Sequence, residues 1–211
     1  MRIELEAVAK RYRREWILRQ VNLDLQAPHR YAVTGPNGSG KSTLLKILSG
    51  HLTPSRGTIR FSLNGTSLPI SEVYQELAFA APYIELIEEY TLVEALRFHT
   101  RFKPFLPGLD QDAVIELMGL MRARDLPLNS FSSGMKQRVK LALACCTRSS
   151  LLLLDEPTTN LDAQGVAWYL ELMDTYAKDR LVVVASNVET DYQFCEEMIS
   201  IPAFKKRVEA K

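Results

Sequence analysis

The chain lacks the features typical of secreted and nucleic-acid-binding proteins. It has 211 residues but only three cysteines, and its 26 lysines and arginines nearly balance its 25 acidic residues. Three cysteines cannot form a disulfide framework, so they favour a reducing compartment, with Cys145 and Cys146 as small buried hydrophobes. The formal charge of +1 provides no broad attraction for nucleic acid. We therefore expect no nucleic-acid partner.

Long apolar runs are also missing. No stretch approaches the roughly 20 residues that a membrane-spanning helix needs. Residues 1–6 alternate apolar and charged side chains, which is not the pattern of a signal peptide. We expect a cytoplasmic chain that reaches a membrane only through a partner. Lys205, Lys206 and Arg207 are expected to form a solvated tail, with weak attraction to an anionic membrane surface as the alternative.

What is present is an alternation of strand and helix patterns. Apolar and polar residues alternate over 3–8, 21–25 and 58–63, as in half-buried antiparallel strands. Residues 151–154 and 181–185 are continuous apolar runs typical of buried parallel strands. Shorter strands are predicted over 31–34, 77–81 and 198–201, and helices over 42–48 and 163–176. The pattern predicts an α/β fold with a largely parallel sheet.

The middle of the chain is mostly helical. Thr91 and Glu94 have the spacing of a capping box at the start of a helix that we expect to reach Phe102. Asp110 is expected to cap a second helix that continues to Met121. We predict that residues 84–148, approximately, form a helical subdomain inserted into one domain spanning residues 1–211.

A glycine-rich segment between a strand and a helix matches the pattern G-x-x-x-x-G-K-[ST]. Its glycines let the backbone turn successive N–H groups toward phosphate oxygens, and the following helix adds its positive end. Lys41 would contact the outer phosphates and the Ser42 hydroxyl would bind Mg²⁺. The predicted nucleotide-binding residues are Gly35, Pro36, Asn37, Gly38, Ser39, Gly40, Lys41, Ser42 and Thr43.

Two carboxylates follow the four leucines of 151–154. Neighbouring residues on a strand point in opposite directions, so Asp155 and Glu156 are expected to approach a site from different angles. A buried strand that ends in two charges needs groups to compensate them. We expect Asp155 to share Mg²⁺ with Ser42, and Glu156 to accept a proton from an attacking water.

With these motifs the chain resembles the nucleotide-binding subunits of ABC transporters over its whole length. Residues 131–138, Phe-Ser-Ser-Gly-Met-Lys-Gln-Arg, resemble the signature motif of that family, usually written LSGGQ. Residues 159–162, Thr-Asn-Leu-Asp, resemble its D-loop. The resemblance implies a P-loop NTPase of ABC type, with a mixed sheet core, an N-terminal antiparallel β part and the inserted helical subdomain.

The resemblance also implies cofactors and partners. ATP and Mg²⁺ would be bound, and Ser132 and Gly134 would contact the γ-phosphate of ATP held by a second subunit. The chain would form a homodimer, or a heterodimer with another ABC ATPase. Integral membrane transporter subunits would hold it at the inner face of the cell membrane. Tyr12 would stack on adenine, although Trp16 is close enough in sequence to compete for that role.

Two positions depart from the family pattern. Residues 80–84 contain no glutamine where the family usually has one, and Pro82 or Tyr83 occupies that position. Asn187 stands where the family usually has a histidine, and we expect His29, His51 and His99 to be surface or loop residues. An amide donates a hydrogen bond but carries no positive charge. We therefore expect hydrolysis to persist through Glu156, with help from Lys41 and Asn187, but more slowly.

The function predicted from these residues is that of an ATP-hydrolysing subunit that drives partner membrane subunits. Its size resembles that of the small haem-exporter-type ATPases. One alternative is a soluble ABC ATPase acting on ribosomes or DNA, although the sequence shows neither a second such domain nor a long coiled-coil insertion. Another is a regulatory ATP-binding module with little turnover, which the two departures favour and the intact acidic pair disfavours.

Overall fold

The structure, a computed structural model, describes residues 1–204, so the basic cluster at 205–207 lies outside the described residues. The strands are β1 (Arg2–Tyr12), β2 (Glu15–Gln26), β3 (Arg30–Thr34), β4 (Arg56–Leu63), β5 (Thr66–Leu68), β6 (Leu77–Ala80), β7 (Leu151–Asp155), β8 (Leu181–Ala185) and β9 (Glu197–Ser200). The α-helices are α1 (Lys41–Leu48), α2 (Leu92–Thr100), α3 (Gln111–Leu117), α4 (Ser133–Cys146) and α5 (Ala163–Tyr176). Short 3-10 segments lie at Ile70–Glu76, Met121–Ala123, Leu128–Ser130, Glu189–Asp191 and Ile201–Phe204.

The N-terminal strands form an antiparallel sheet in the order β2-β1-β4-β5. Alternation along β1 buries Ile3 and Leu5 and leaves Arg2 and Glu6 exposed. The strand pairing continues past the predicted end at residue 8 to Tyr12, with irregular register along the way. The antiparallel part of the fold is therefore confirmed, with longer strands than the alternation alone indicated.

The other sheet is wholly parallel, in the order β6-β7-β8-β3-β9. Its register places Asp155 opposite Ala185, and Val33 opposite Ala185 on the other side. The carboxyl ends of β3, β7 and β8 consequently lie side by side at one edge. Ligands of open α/β sheets bind at this edge.

Alternation within the buried strands divides the core into two layers. Leu151 and Leu153 of β7 pack with the antiparallel sheet and α1. Leu152 and Leu154 point the other way and pack with α2 to α5. All five residues of β7 are buried, which explains why this segment shows no polar alternation in the sequence.

The helices α2 and α3 begin where they were predicted to begin, and each ends earlier than predicted. Thr91 and Glu94 form the complete capping box at the start of α2, which ends at Thr100 rather than at Phe102. Asp110 caps α3, which ends at Leu117 rather than at Met121. Gly119 has φ of +70°, a left-handed conformation that ends a helix. None of the helices described within residues 1–204 is both long and apolar enough to span a membrane.

His99 corrects one expectation, because it lies on a helix and is half-buried. It lies on α2, its ring stacks on Phe105, and its Nε2 is 2.6 Å from Thr147 Oγ1. Burial lowers the pKa of His99 to about 4, so the ring is neutral at physiological pH. Cys145 and Cys146 are buried as predicted, and burial raises the pKa of each thiol to about 12.

Candidate active site

The glycine-rich loop between β3 and α1 has the compact form that phosphate binding requires. Ser39 N donates to the Pro36 carbonyl over 2.9 Å, and α1 begins at Lys41. Gly40 has φ of +118°, and a Cβ at this position would lie 2.7 Å from Ile17 Cγ2. Any side chain at residue 40 would therefore displace Ile17, so glycine is needed both for the conformation and for the space.

Lys41 lies in this loop with its charge directed at oxygen atoms. Its Nζ donates to the Gly35 carbonyl over 2.9 Å and lies 3.5 Å from Asn37 Oδ1. It is also 4.0 Å from Glu156 Oε1. The residue is only 5% exposed. A buried ammonium group surrounded by oxygens is well placed to bind a phosphate anion.

Asp155 ends β7 as a buried carboxylate. The residue is 2% exposed, and its Oδ2 has no hydrogen-bond partner among the described residues. Burial raises the pKa of Asp155, and the neighbouring Ser42 hydroxyl opposes this shift. An unpaired carboxylate oxygen is costly to bury, and a bound cation would remove that cost. Ser42 and Asp155 therefore have the oxygen donors and the unmet charge that suit Mg²⁺.

Glu156 differs from the expectation in its backbone. It is not a strand residue, because β7 ends at Asp155 and Glu156 has φ of +46°. The strand alternation that we invoked for the two carboxylates therefore does not apply to it. Its N–H still donates to the Ala185 carbonyl over 2.8 Å, so the turn is held against β8. The Glu156 side chain is 40% exposed and faces the loop that carries Lys41.

Asn187 reaches the same loop from the end of β8. Its Nδ2 donates to Asn37 Oδ1 over 2.8 Å. Asn187 thus contacts Asn37, and Asn37 Oδ1 also lies 3.5 Å from Lys41 Nζ. The residue is exposed, so its amide is accessible from solvent.

A buried carboxylate behind Asn187 was missed by the sequence reasoning. Ser186 Oγ donates to Asp191 Oδ2 over 2.5 Å, and Thr158 Oγ1 donates to Asp191 Oδ1. Val188 N donates back to Ser186 Oγ over 3.0 Å. Asp191 is 1% exposed and connects the turn at Asn187 with the turn after Glu156. No sequence signal distinguished this acid from a solvated one, because its partners come from two separate segments.

A cavity of about 270 Å³ lies beside the loop. Its lining consists of Tyr12, Ile17, Asn37, Gly38, Gly40, Lys41, Ser42, Thr43 and Glu156. Ile17 was not predicted, since its only signal was an apolar position near Tyr12. Gly35, Pro36 and Ser39 do not line the cavity. Trp16 is also outside it, and its ring lies 5.2 to 5.7 Å from three arginines, Arg11, Arg19 and Arg56.

The segment resembling the signature motif lies elsewhere on the chain. Ser132 caps α4, and its Oγ accepts from Met135 N over 3.2 Å. A Cβ at Gly134 would lie 3.0 Å from the Asn160 carbonyl, so this segment packs against the 159–162 turn. Ser133 is exposed. Ser132 and Gly134 are not brought together with the lining of the Lys41 cavity.

Comparison with known proteins is consistent with this geometry. Residues 18–159 match the family model described as ABC transporter. The lantibiotic transport ATP-binding protein SrtF of Streptococcus pyogenes is 30% identical over 190 residues, covering 88% of this chain and 79% of SrtF. The cytochrome c biogenesis ATP-binding export protein CcmA of Brucella abortus is also 30% identical, over 89% of this chain and 86% of CcmA.

A solved structure supports the fold separately. The dimeric structure of MJ0796, a bacterial ABC transporter cassette, superposes with a TM-score of 0.79. It covers 94% of this chain and 93% of that chain at 23% identity, so this likeness concerns the fold alone. The family match covers more than half of the chain, and two relatives reach 30% identity over most of their length. The chain belongs to the ABC transporter family, as an ATP-binding subunit.

Proposed function

We propose that this subunit hydrolyses ATP at the edge where the Gly35–Ser42 loop, Asp155, Glu156 and Asn187 meet. The observation that carries the proposal is the position of Lys41 Nζ, which lies 2.9 Å from the Gly35 carbonyl and 4.0 Å from Glu156. A cation and a carboxylate thus face the same cavity from two different segments of the chain. This is the arrangement needed to hold a phosphate and to activate water beside it.

The nucleotide would bind along the lining of the 270 Å³ cavity. The N–H groups of the loop and the Lys41 ammonium would contact the phosphates, with Thr43 beside them on α1. Tyr12 is 45% exposed at the other side of the cavity, where its ring can stack on a flat base. Trp16 is covered by arginines, which favours Tyr12 over Trp16 for this role.

Mg²⁺ would be held by the Ser42 hydroxyl and the Asp155 carboxylate. The support is the unpaired and buried Oδ2 of Asp155 together with the adjacent hydroxyl. When bound, the ion supplies positive charge to the phosphate oxygens. In this proposal Asp155 binds the metal ion and does not exchange protons with the substrate.

In the reaction, a water oxygen attacks the γ-phosphorus while the bond from phosphorus to the ADP oxygen breaks. ADP leaves with the bonding electron pair, and Glu156 accepts the proton that the water loses. Lys41 stabilises the negative charge on the outer phosphate, and the Asn187 amide donates a hydrogen bond to the same group. Catalysis here depends mainly on positioning and charge stabilisation.

The test is ATP turnover by wild type and by Glu156→Gln. Loss of a general base costs about a hundredfold to ten-thousandfold in rate, so we expect a loss in that range with nucleotide binding retained. Glu171→Gln is the matched control, because Glu171 is exposed on α5. Equal turnover of Glu156→Gln and wild type would exclude Glu156 as the base and would favour a regulatory ATP-binding module.

We propose a second cassette as a partner. Ser132 and Gly134 do not line the Lys41 cavity of their own chain, so contact with ATP requires another subunit. The exposed Ser132 at the start of α4 offers a hydroxyl and a helix N-terminus to an anion. Either an identical subunit or a related ABC ATPase would supply the complementary site. Sedimentation of Glu156→Gln with and without ATP and Mg²⁺ tests dimer formation.

We also propose integral membrane transporter subunits as partners, which would place the chain at the inner face of the membrane. Exposed apolar side chains support a protein partner. Phe102 is 73% exposed, Tyr74 is 62% exposed, and both border an apolar cavity of about 510 Å³ next to α2. Purification from native membranes tests this, since copurifying multi-span proteins would support it and copurifying ribosomal proteins would contradict it.

A further inference from the structure

Glu156 has a backbone conformation that a residue with a side chain seldom adopts. Its φ of +46° lies in the left-handed region, and such strain persists only where the surrounding structure enforces it. Glu156 N donates to the Ala185 carbonyl over 2.8 Å, and Thr159 N donates to the Glu156 carbonyl over 3.2 Å. These backbone bonds fix the start of the turn, so the residues from Pro157 onward need other contacts.

Side chains from two other segments fix the rest of the turn. Gln137 Nε2 of α4 donates to the Pro157 carbonyl over 2.6 Å. The Thr158 hydroxyl donates to Asp191 Oδ1. The contact between Thr158 and Asp191 therefore ties the turn that carries Glu156 to the segment that follows β8.

The second oxygen of Asp191 fixes the residues around Asn187. Ser186 Oγ donates to Asp191 Oδ2 over 2.5 Å and accepts from Val188 N over 3.0 Å. Ser186 and Val188 are the neighbours of Asn187 on its two sides. The Ser186 hydroxyl thus closes a small turn that contains Asn187 and ties this turn to Asp191.

Asp191 is itself held firmly. Its N–H donates to the Val188 carbonyl over 3.0 Å, and its carbonyl accepts from the hydroxyl of Tyr169 on α5 over 2.8 Å. Both Asp191 and Tyr169 are buried. A buried carboxylate is costly unless its oxygens accept hydrogen bonds. Because the two oxygens accept from two separate segments, the carboxylate is satisfied only when both turns are in place.

We propose that Asp191 is a positioning residue for ATP hydrolysis, because it fixes the Glu156 turn and the Asn187 turn relative to each other. Its two oxygens set the separation between the proposed base and the amide that would contact the γ-phosphate. Losing an interaction that acts only in the transition state lowers kcat and leaves KM unchanged. The inference rests on the proposed roles of Glu156 and Asn187, and adds the residue that maintains their relative positions.

The experiment measures kcat and KM for ATP in the full chain carrying Thr158→Val. This change removes the donor to Asp191 and keeps the shape of the side chain, so we expect about a tenfold loss of kcat with KM within about twofold of wild type. Thr158→Ser keeps the hydroxyl, and its kcat should remain within about threefold of wild type. Thr175→Val is the matched control, because Thr175 is exposed on α5 and should change neither constant.

A second background separates positioning from stability. Glu156→Gln lacks the base, so adding Thr158→Val should lower its kcat by less than about twofold, whereas the effect on urea unfolding should be the same in both backgrounds. Ser186→Ala acts through the same carboxylate and should cost about tenfold in kcat by itself. Combining it with Thr158→Val should also cost about tenfold, not the hundredfold expected of independent residues.

Wild-type kcat in Thr158→Val, together with a large loss in Glu156→Gln, would overturn the inference and leave the proposed base intact. An equal loss of kcat with and without Glu156 would also overturn it, because that result indicates a merely structural role. Equal turnover of Glu156→Gln and wild type would contradict the proposed function, and the inference with it. If Thr158→Val does not fold, Ser186→Ala provides the test, and an unchanged kcat in that variant would contradict the proposal.

Discussion

Two sides of the nucleotide site use different chemistry. The loop from Gly35 to Ser42 presents backbone N–H groups, and its shape depends on glycine conformations such as that of Gly40. The other side of the proposed site consists of Tyr83 and Asn187, which follow β6 and β8 and carry side-chain hydrogen-bond donors. The loop side follows the motif at every specified position, whereas both residues of the opposite side depart from the family pattern.

The two sides differ in how readily their hydrogen-bond donors can be replaced. A backbone cradle fails if one glycine changes, because a Cβ at residue 40 would lie 2.7 Å from Ile17. A side-chain donor can be replaced by another donor in the same place. Lys46 Nζ of α1 lies 4.2 Å from the centre of the Tyr83 ring, and the amide of Asn187 donates to Asn37 over 2.8 Å. The substituted side therefore retains hydrogen-bond donors while lacking a residue that carries positive charge.

The first prediction restores a charge on the substituted side. Asn187→His should raise ATP turnover of the assembled complex by about tenfold to a hundredfold, the value of one charge-assisted hydrogen bond of about 1.5 to 3 kcal/mol. Asn129→His, at an exposed position in the 128–130 segment, serves as the control. Unchanged or lower turnover in Asn187→His would contradict the expectation that the amide slows hydrolysis.

The second prediction removes the support behind Asn187. Asp191→Asn leaves the Ser186 and Thr158 hydroxyls with one fewer acceptor, so the free energy of unfolding should fall by about 1 to 3 kcal/mol in urea denaturation. Asp174→Asn is the control, because Asp174 is exposed and pairs with Lys178 on the surface. A loss of stability below 0.5 kcal/mol, roughly the range of surface changes, would exclude this support.

The contribution of Asp191 to the stability of the fold depends on pH. Burial raises the pKa of Asp191 in the folded chain, although hydrogen bonds from Ser186 and Thr158 oppose the shift. The folded state therefore binds this proton more tightly than the unfolded chain does. The stability of wild type relative to Asp191→Asn should increase as the pH falls through the raised pKa, and level off below the unfolded value of about 3.9. Paired urea titrations over this interval measure it.

The third prediction, with the smallest expected effect, concerns which aromatic ring stacks on the adenine base. Tyr12→Ala should weaken ATP binding about fivefold, since stacking of a base on an aromatic ring is worth at least about 1 kcal/mol. Trp16→Ala should leave ATP affinity unchanged, because Trp16 does not line the cavity. Competition with a fluorescent nucleotide measures both. A greater loss in Trp16→Ala than in Tyr12→Ala would reverse the assignment of the two rings.

Much of the fold was predictable because local patterns determined it. The continuous apolar runs of β7 and β8 indicated buried parallel strands, and Thr91 with Glu94 indicated the start of α2. Helix ends were less predictable. The end of α3 at Leu117 depends on the left-handed conformation of Gly119, which a single glycine in a sequence does not require. His99 was expected in a loop or at the surface, and its half-buried place on α2 was not predictable because its partners, Phe105 and Thr147, lie on other segments.

The sequence by itself determined the phosphate-binding loop and the acidic pair, since each is a contiguous motif whose chemistry depends on residue order. Only the tertiary structure decided which distant side chains lie near these segments. It placed Tyr83 against Lys46, Asn187 against Asn37, and Asp191 between the two turns. The physical reason is the parallel order of β6, β7, β8 and β3, which gathers strand ends from separate parts of the chain at one edge.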